Sequence, residues 1–322
     1  MKKLTRDKEN LSLIIGPSYE PRIEISPGEE LMIETERADY MFLSRENPHF
    51  KDRAHVIEVG VNPVTGPVFV KGAEPGDRLE VEIIDIMPGD DGSEGYFSYI
   101  KGQGVFTNPF YADLDYPPRT VWCAVDRPRL RFEFGNAAVG LDAEPFIGTM
   151  SVSPKGNTIE SSDCTKEIYG NADCHYVKKG SKVVLPVNVP GALLSIGDMH
   201  AAQGAGELLS CALECRGSLV IKTKVLKKEE VPWFDWPQVN TGAFIGSVAR
   251  ELNSMELAIK SAFYDVIKRV EHTTPLDFMD AYMLLGQCAQ IEICQMVGGA
   301  NTVIAMVPAE IIDQLNEGSK RS

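Results

Sequence analysis

The sequence has no uninterrupted apolar run approaching the roughly 20 residues that cross a bilayer, so no membrane span is expected. Its opening, "MKKLTRDKEN", starts with a lysine pair but has no apolar stretch behind it, and a secretory signal is not expected. A surplus of positive charge is also missing: 32 lysines and arginines face 46 aspartates and glutamates, a net charge of −14. That balance argues against nucleic acid or an anionic membrane as the main partner. The seven cysteines include no C-x-x-C pair, and their odd number in a 322-residue chain predicts reduced thiols and a cytoplasmic location rather than a disulfide framework. No S-x-x-K or G-x-S-x-G stretch supports a serine amidase. Tandem repeats and low-complexity segments are missing too.

What is present is a succession of short strands. In "RIEIS", "ELMIETE", "VFVKG" and "RLEVEIIDIMP" the alternation is clearest at Leu79, Val81 and Ile83, which share one strand face while Glu80 and Glu82 take the other. This is the pattern of half-buried antiparallel sheet. "GAEPGD", between two of these segments, reads as a tight hairpin connection and not a phosphate loop, because it opens no helix. Residues 88–118 show no periodicity, which predicts a long functional loop or lid. Strands resume with "TVWCAVD", "RLRFEF", "PFIGTMSVSP", "SKVVLPVNVPGALLSIGDMHA" and "CRGSLVIKTKVL", where Pro186 and Pro190 predict edge or bulged strands. Residues 1–230 thus form the β-rich body, an antiparallel β-sandwich or barrel.

Residues 231–322 change character. Trp233, Phe234 and Trp236 predict an aromatic seam between the regions. Apolar residues from Leu252 to Val270 recur near a helical period, and "TTPLDFMDAYMLLGQC" predicts a second helix with Thr274 as cap and Pro275 at its first position. "QIEICQMV" and "NTVIAMVP" predict a strand pair joined by "GGA". The fold class is mainly β with an α+β C-terminal region.

Metal-binding residue types gather in "SIGDMHAAQGAGELLSCALE". Strand residues two apart face the same way, so Asp198 and His200 present a carboxylate and an imidazole to one side, half of a metal site. An isolated pair of this kind also occurs as a turn aspartate and a surface histidine. Ala201, Ala202, Gly204, Ala205 and Gly206 predict close backbone approach to a small ligand, and Glu207 can return to the same cavity as a ligand or a general base. Upstream, "EIYGNADCH" sets Asn171 and Asp173 two apart after Gly170. Asn171 suits a primary amide, and Asp173 can ligate a metal or fix the tautomer of His200. An Asx turn uses the same residues. Cys174 beside His175 is weak evidence for a thiolate nucleophile, since strand neighbours point oppositely.

"GNAD" followed by "LPVNVPGALLSIGDMHAAQGAGE" resembles the signature segment of the acetamidase/formamidase family, hydrolases of short aliphatic amides. "NPVTGPVFVKGAEPGDRLEVEIIDI" and "DAYMLLGQCAQIEICQMV" with "TVIAMVP" extend the resemblance over most of the chain. It implies an antiparallel β-rich body followed by an α+β region. The chain departs from the family pattern at Ile168, where a histidine is usual, at Ala205, where an aspartate is usual, and at Arg37, with Asp39 two residues on. If Ile168 and Ala205 mark lost cavity groups, Ile168→His and Ala205→Asp should strengthen metal binding or hydrolysis.

Three functions compete at this stage. The first is metal-dependent hydrolysis of a short aliphatic primary amide of the formamide or acetamide type. Asp198 and His200 would be ligands, Asp173 a third ligand or their partner, Glu207 the proton carrier and Asn171 the group orienting the amide. The cofactor would be a divalent metal, zinc by preference for histidine plus carboxylates with an open position, or calcium if oxygen donors dominate. The second is a non-hydrolytic family member that binds a small molecule or a metal. The third is a hydrolase for a different C–N substrate. A homo-oligomer, dimer or tetramer, is expected.

Overall fold

The alternation in "RLEVEIIDIMP" becomes the strand Arg78–Pro88 of a computed structural model that describes residues 1–106, 116–231, 235–297 and 299–319. Leu79, Val81 and Ile83 are fully buried while Glu80 and Glu82 stay partly exposed. Each of the three apolar side chains contributes roughly 1.5–3 kcal/mol by leaving water. The strand is one of nine in a sheet ordered Lys2–Leu4, Glu30–Thr35, Gly217–Leu226, Arg78–Pro88, Lys182–Pro186, Gln238–Asn240, Phe244–Leu252, Ala300–Pro308 and Gln290–Val297.

A ten-stranded sheet runs through Cys164–Thr165, Tyr169–Asn171, Phe146–Ser151, Leu194–His200, Glu214–Cys215, Glu94–Tyr99 and Arg119–Ala124. Val64–Val70 joins it at Leu194–His200 and carries Leu11–Ser12 and Ile23–Ile25. The sheets share one core, in which Leu31, Ile83 and Ile221 from the first belong to the same buried cluster as Val70, Ile147 and Leu194 from the second. Pairing between the long strands is antiparallel, while Lys2–Leu4 with Glu30–Thr35 and Ile23–Ile25 with Val64–Val70 run parallel. Strands take 41% of the chain and helices 16%, so the mainly β class with its helices toward the C-terminus stands.

The described helices are α1 (Arg53–Val59), α2 (Met255–Thr273), α3 (Phe278–Cys288) and α4 (Ala309–Ser319). Past residue 231 the strands continue the nine-stranded sheet through the pairing of Lys182–Pro186 with Gln238–Asn240. Helix α2 packs on that extension in a second core containing Trp236, Val266 and Val303. Trp233 and Phe234 lie outside the described residues. Among the described residues no helix is long and apolar enough to cross a membrane.

Several local expectations change. Residues 94–99, read as loop, form the strand Glu94–Tyr99 paired with Arg119–Ala124, and residues 107–115 of that loop lie outside the described residues. "GAEPGD" joins Val64–Val70 to Arg78–Pro88, which belong to different sheets, so it is a crossing and not a hairpin. Lys182–Pro186 is an interior strand; Pro186 is its last residue. Leu252 ends a strand, and α2 starts after it with Ser254 accepting from the Leu257 N–H. The Thr274 hydroxyl donates to the Val270 carbonyl at 2.8 Å and so closes α2, leaving Asp277 to cap α3.

Candidate metal centre

Leu194–His200 lies inside the ten-stranded sheet, between Phe146–Ser151 on one side and Val64–Val70 with Glu214–Cys215 on the other. The expected same-facing pair is there: Asp198 and His200 are buried, with the imidazole Nε2 3.3 Å from Asp198 Oδ1. Across the ladder, between the pairs Ile147–Met199 and Thr149–Gly197, stands Gly148. A Cβ at Gly148 would lie 2.5 Å from Asp173 Oδ1 and 2.5 Å from Asp198 Oδ2. Glycine leaves room there for two carboxylates to converge. Asp173, just past Tyr169–Asn171, completes with Asp198 and His200 a group whose donor atoms lie within 4.8 Å of one another.

The backbone is strained where these acids sit. Asp173, Asp198 and Glu207 take φ values of +47°, +60° and +48°, in the left-handed region. For residues with a Cβ each such conformation costs on the order of 1 kcal/mol or more, and it persists only where surrounding contacts fix it.

Those contacts are specific. Gln203 Nε2 donates to the carbonyls of Asp173 and Cys294, 3.1 Å each, so its Oε1 must face His200 Nδ1 at 3.0 Å. Nδ1 therefore carries a proton, and Nε2 is the nitrogen turned toward the acids. The Phe146 ring meets the imidazole edge-on, centroids 4.8 Å apart, which fixes its plane. Gln295, from the C-terminal strand Gln290–Val297, donates to Asp173 Oδ2 and to the Asn171 carbonyl. Asn62 Nδ2 donates to Asp198 Oδ2 at 3.2 Å.

Glu207 and Asn171 also reach the site. Both line the cavity of about 590 Å³ that contains Asp173, Asp198 and His200. The Thr149 hydroxyl lies 2.9 Å from Asn171 Oδ1 and 3.3 Å from Asp198 Oδ2. The small residues 201–206 do not line the cavity, contrary to expectation. They tie Glu207 down instead: the Gly206 N–H donates to the Ile293 carbonyl at 2.9 Å, and the Met296 N–H donates to the Gly206 carbonyl at 3.0 Å. Ile168 is buried away from the cavity and Ala205 is exposed outside it, so neither marks a lost cavity group. Arg37 is paired with Asp39 by two bonds of 2.9 and 2.8 Å and has a carboxylate of its own. Cys174 is buried in the main core, and its neighbour His175 faces Glu292 at 3.5 Å.

Sequence reasoning missed Glu214. Its Oε2 is 3.3 Å from His200 Nε2, and its Oε1 accepts from the Ala212 N–H at 2.9 Å. The available signal was a lone acid inside the apolar "CALEC", as Gln295 is a lone polar residue in "ICQMV".

Four buried carboxyls thus surround one imidazole, an imbalance that low polarity makes expensive. Burial first, then the Asp198 charge, pushes the Asp173 carboxyl from 3.8 up to about 7. Burial and Asp173 hold Glu207 well above the carboxylate range, and burial raises Asp198. Burial by itself would discharge His200, but Glu214 and Asp198 outweigh it and raise its pKa. Asp173 Oδ1 and Glu207 Oε2 are buried without a hydrogen-bond partner among the described residues. A divalent cation fits this set: it would supply the missing positive charge and a partner for the orphaned oxygen of Asp173.

Two outcomes follow from this geometry. Gly148→Ala puts a methyl between two candidate ligand oxygens and is expected to cut metal affinity by roughly 100-fold or more, against the 10–100-fold of outer-contact changes; metal content after dialysis measures it. The raised Asp173 pKa stabilises the metal-free protein at low pH, and this contribution is lost as pH rises from about 4 to about 7. Asp173 must lose that proton to bind metal. Zinc titrations in buffers of different ionisation enthalpy should therefore release more protons at pH ~6 than at pH ~8.

The chain matches the Acetamidase/Formamidase family profile over residues 2–155 and 153–314. A putative formamidase of Schizosaccharomyces pombe is 32% identical over 214 residues, 52% of this chain and 52% of that protein. The formamidase of Methylophilus methylotrophus is 29% identical over 212 residues, again 52% of each chain. This chain spans about half the length of these two relatives. The crystal structure of an acetamidase from Bacillus halodurans superposes with a TM-score of 0.85 at 27% identity, covering 97% of this chain and 99% of that one. On the profile match across nearly its whole length, the chain belongs to the acetamidase/formamidase family.

Proposed function

We propose that the protein hydrolyses a primary carboxamide to carboxylate and ammonia with a divalent metal held by Asp173, Asp198 and His200. Amides of the formamide and acetamide type are the first substrates to test. The observation that carries this reading is the convergence of Asp173 Oδ1 and Asp198 Oδ2 on the space a Gly148 side chain would fill. One imidazole with carboxylates and an open position suits zinc, while calcium would draw on the oxygen donors. Such an ion, when bound, would polarise the amide carbonyl and lower the pKa of water from about 15.7 toward about 7.

The protein supplies the rest. With its Oδ1 held by Thr149, Asn171 has its NH₂ to donate to the substrate carbonyl. Glu207, buried and with an orphaned oxygen, takes a proton from the attacking water and passes it to the departing nitrogen. The water oxygen joins the acyl carbon, the C–N bond breaks and ammonia leaves. Glu214 and Gln203 keep the imidazole in place from either side. A dimer or tetramer is the expected assembly, which light scattering decides. The reading is tested by the metal content of the purified protein alongside ammonia release from formamide, acetamide and propionamide. Ammonia that disappears on chelation supports it, and a metal-loaded protein releasing none from any amide overturns it.

A further inference from the structure

The cavity is far larger than the amide group its acids would grip. At about 590 Å³ it falls within the range of about 300–1,000 Å³ that encloses drug-sized ligands, whereas formamide and acetamide would fill a small corner of it.

One wall is apolar and begins at the acids. Tyr96 pairs with Glu214 across the ladder. Tyr96 and Cys211 belong with Phe50, Val56 and Ile100 to a hydrophobic cluster distinct from the two main cores, and all five line the cavity. Two of them come from α1 and the segment just before it, so the wall runs outward from the sheet. Among the charged side chains of the lining, seven acids outnumber the two arginines, Arg53 and Arg250, and Arg250 already donates to the Asn171 carbonyl at 3.3 Å. A negative charge on the acyl chain of the substrate would find repulsion there.

We propose that the site takes primary amides of uncharged carboxylic acids longer than acetic acid, the acyl chain lying along Tyr96, Cys211, Val56, Phe50 and Ile100. This rests on the hydrolytic reading above and names its substrate class. Water still adds to the acyl carbon and ammonia still leaves; the wall contributes binding of the chain.

The test is a kcat/KM series on the metal-loaded protein with acetamide, butyramide, hexanamide and the anionic succinamate. Each methylene buried against the wall is worth roughly a fourfold gain. Butyramide is therefore expected to exceed acetamide by about 16-fold, hexanamide to exceed butyramide, and succinamate to fall below butyramide. Val56→Phe, which fills part of the wall, should lower the hexanamide-to-acetamide ratio, and Ile100→Phe checks that result if the first variant does not fold. A flat or falling series from acetamide to hexanamide overturns the proposal while leaving hydrolysis intact. If no amide is hydrolysed, the reaction assigned above fails instead. Calorimetric binding of hexanamide against acetamide then decides the wall by itself: tighter hexanamide supports it and equal affinity overturns it.

Discussion

His200→Ala is expected to lose bound metal and, with it, all measurable ammonia release. Nε2 is the one nitrogen in the group of three candidate ligands, and the Gln203 contact at Nδ1 leaves the ring no second way to present a donor. The substitution also removes the positive charge that faces Asp198 and Glu214 at 3.3 Å each. The Asp198 carboxyl, already raised by burial and held down by the His200 charge, would rise further, which makes the pocket still less able to hold a cation. Metal affinity should fall by more than the 10–100-fold typical of changes one contact away from a ligand. The fold should survive, because the imidazole's packing partner Phe146 stays anchored in its own strand. Metal analysis after gel filtration and circular dichroism give the two readouts. A variant with the parent's metal content would remove His200 from the ligand set.

Glu207→Gln separates chemistry from binding. Glutamine keeps the volume and one carbonyl oxygen but cannot accept and return a proton, so turnover should drop by about 10²–10⁴-fold. The loop is held by backbone bonds from Gly206 to Ile293 and Met296, which the change does not touch. Metal content is therefore expected to stay at the parental level. Loss of metal would instead make Glu207 a ligand and require another group to move the proton, and unchanged turnover would exclude both roles.

Much of this was legible in the chain, for identifiable reasons. Strict alternation marks Leu79, Val81 and Ile83, since a period of two has no other common cause over that length. Asp198 and His200 were legible because strand geometry converts spacing into direction, and the fold brings both to one spot. What stayed hidden depends on distant partners. Gly148 is one more small residue until Asp173 and Asp198 are placed on either side of its missing Cβ. Glu214 stands opposite His200 in the antiparallel ladder, a pairing that no periodicity along the chain describes. The apolar wall joins α1 to Glu94–Tyr99, and residues 88–118 gave no strand signal because glycine, aspartate and proline break the pattern around those six residues. Thr274 misled because a hydroxyl after a helix closes it as readily as one before a helix opens it.

The bond from Gln295 to Asp173 spans 122 residues of sequence. On a ribosome adding about 5–20 residues per second, the segment carrying Asp173 would wait roughly 6 to 24 s for the strand that steadies it. Cys294, whose carbonyl anchors Gln203 and through it the imidazole, arrives with the same strand. During that interval the nascent chain holds the acids of the candidate site without the Gln295 amide and the Cys294 carbonyl that fix them. A cation held by Asp173 would therefore meet a fully aimed carboxylate only after the strand Gln290–Val297 has been added.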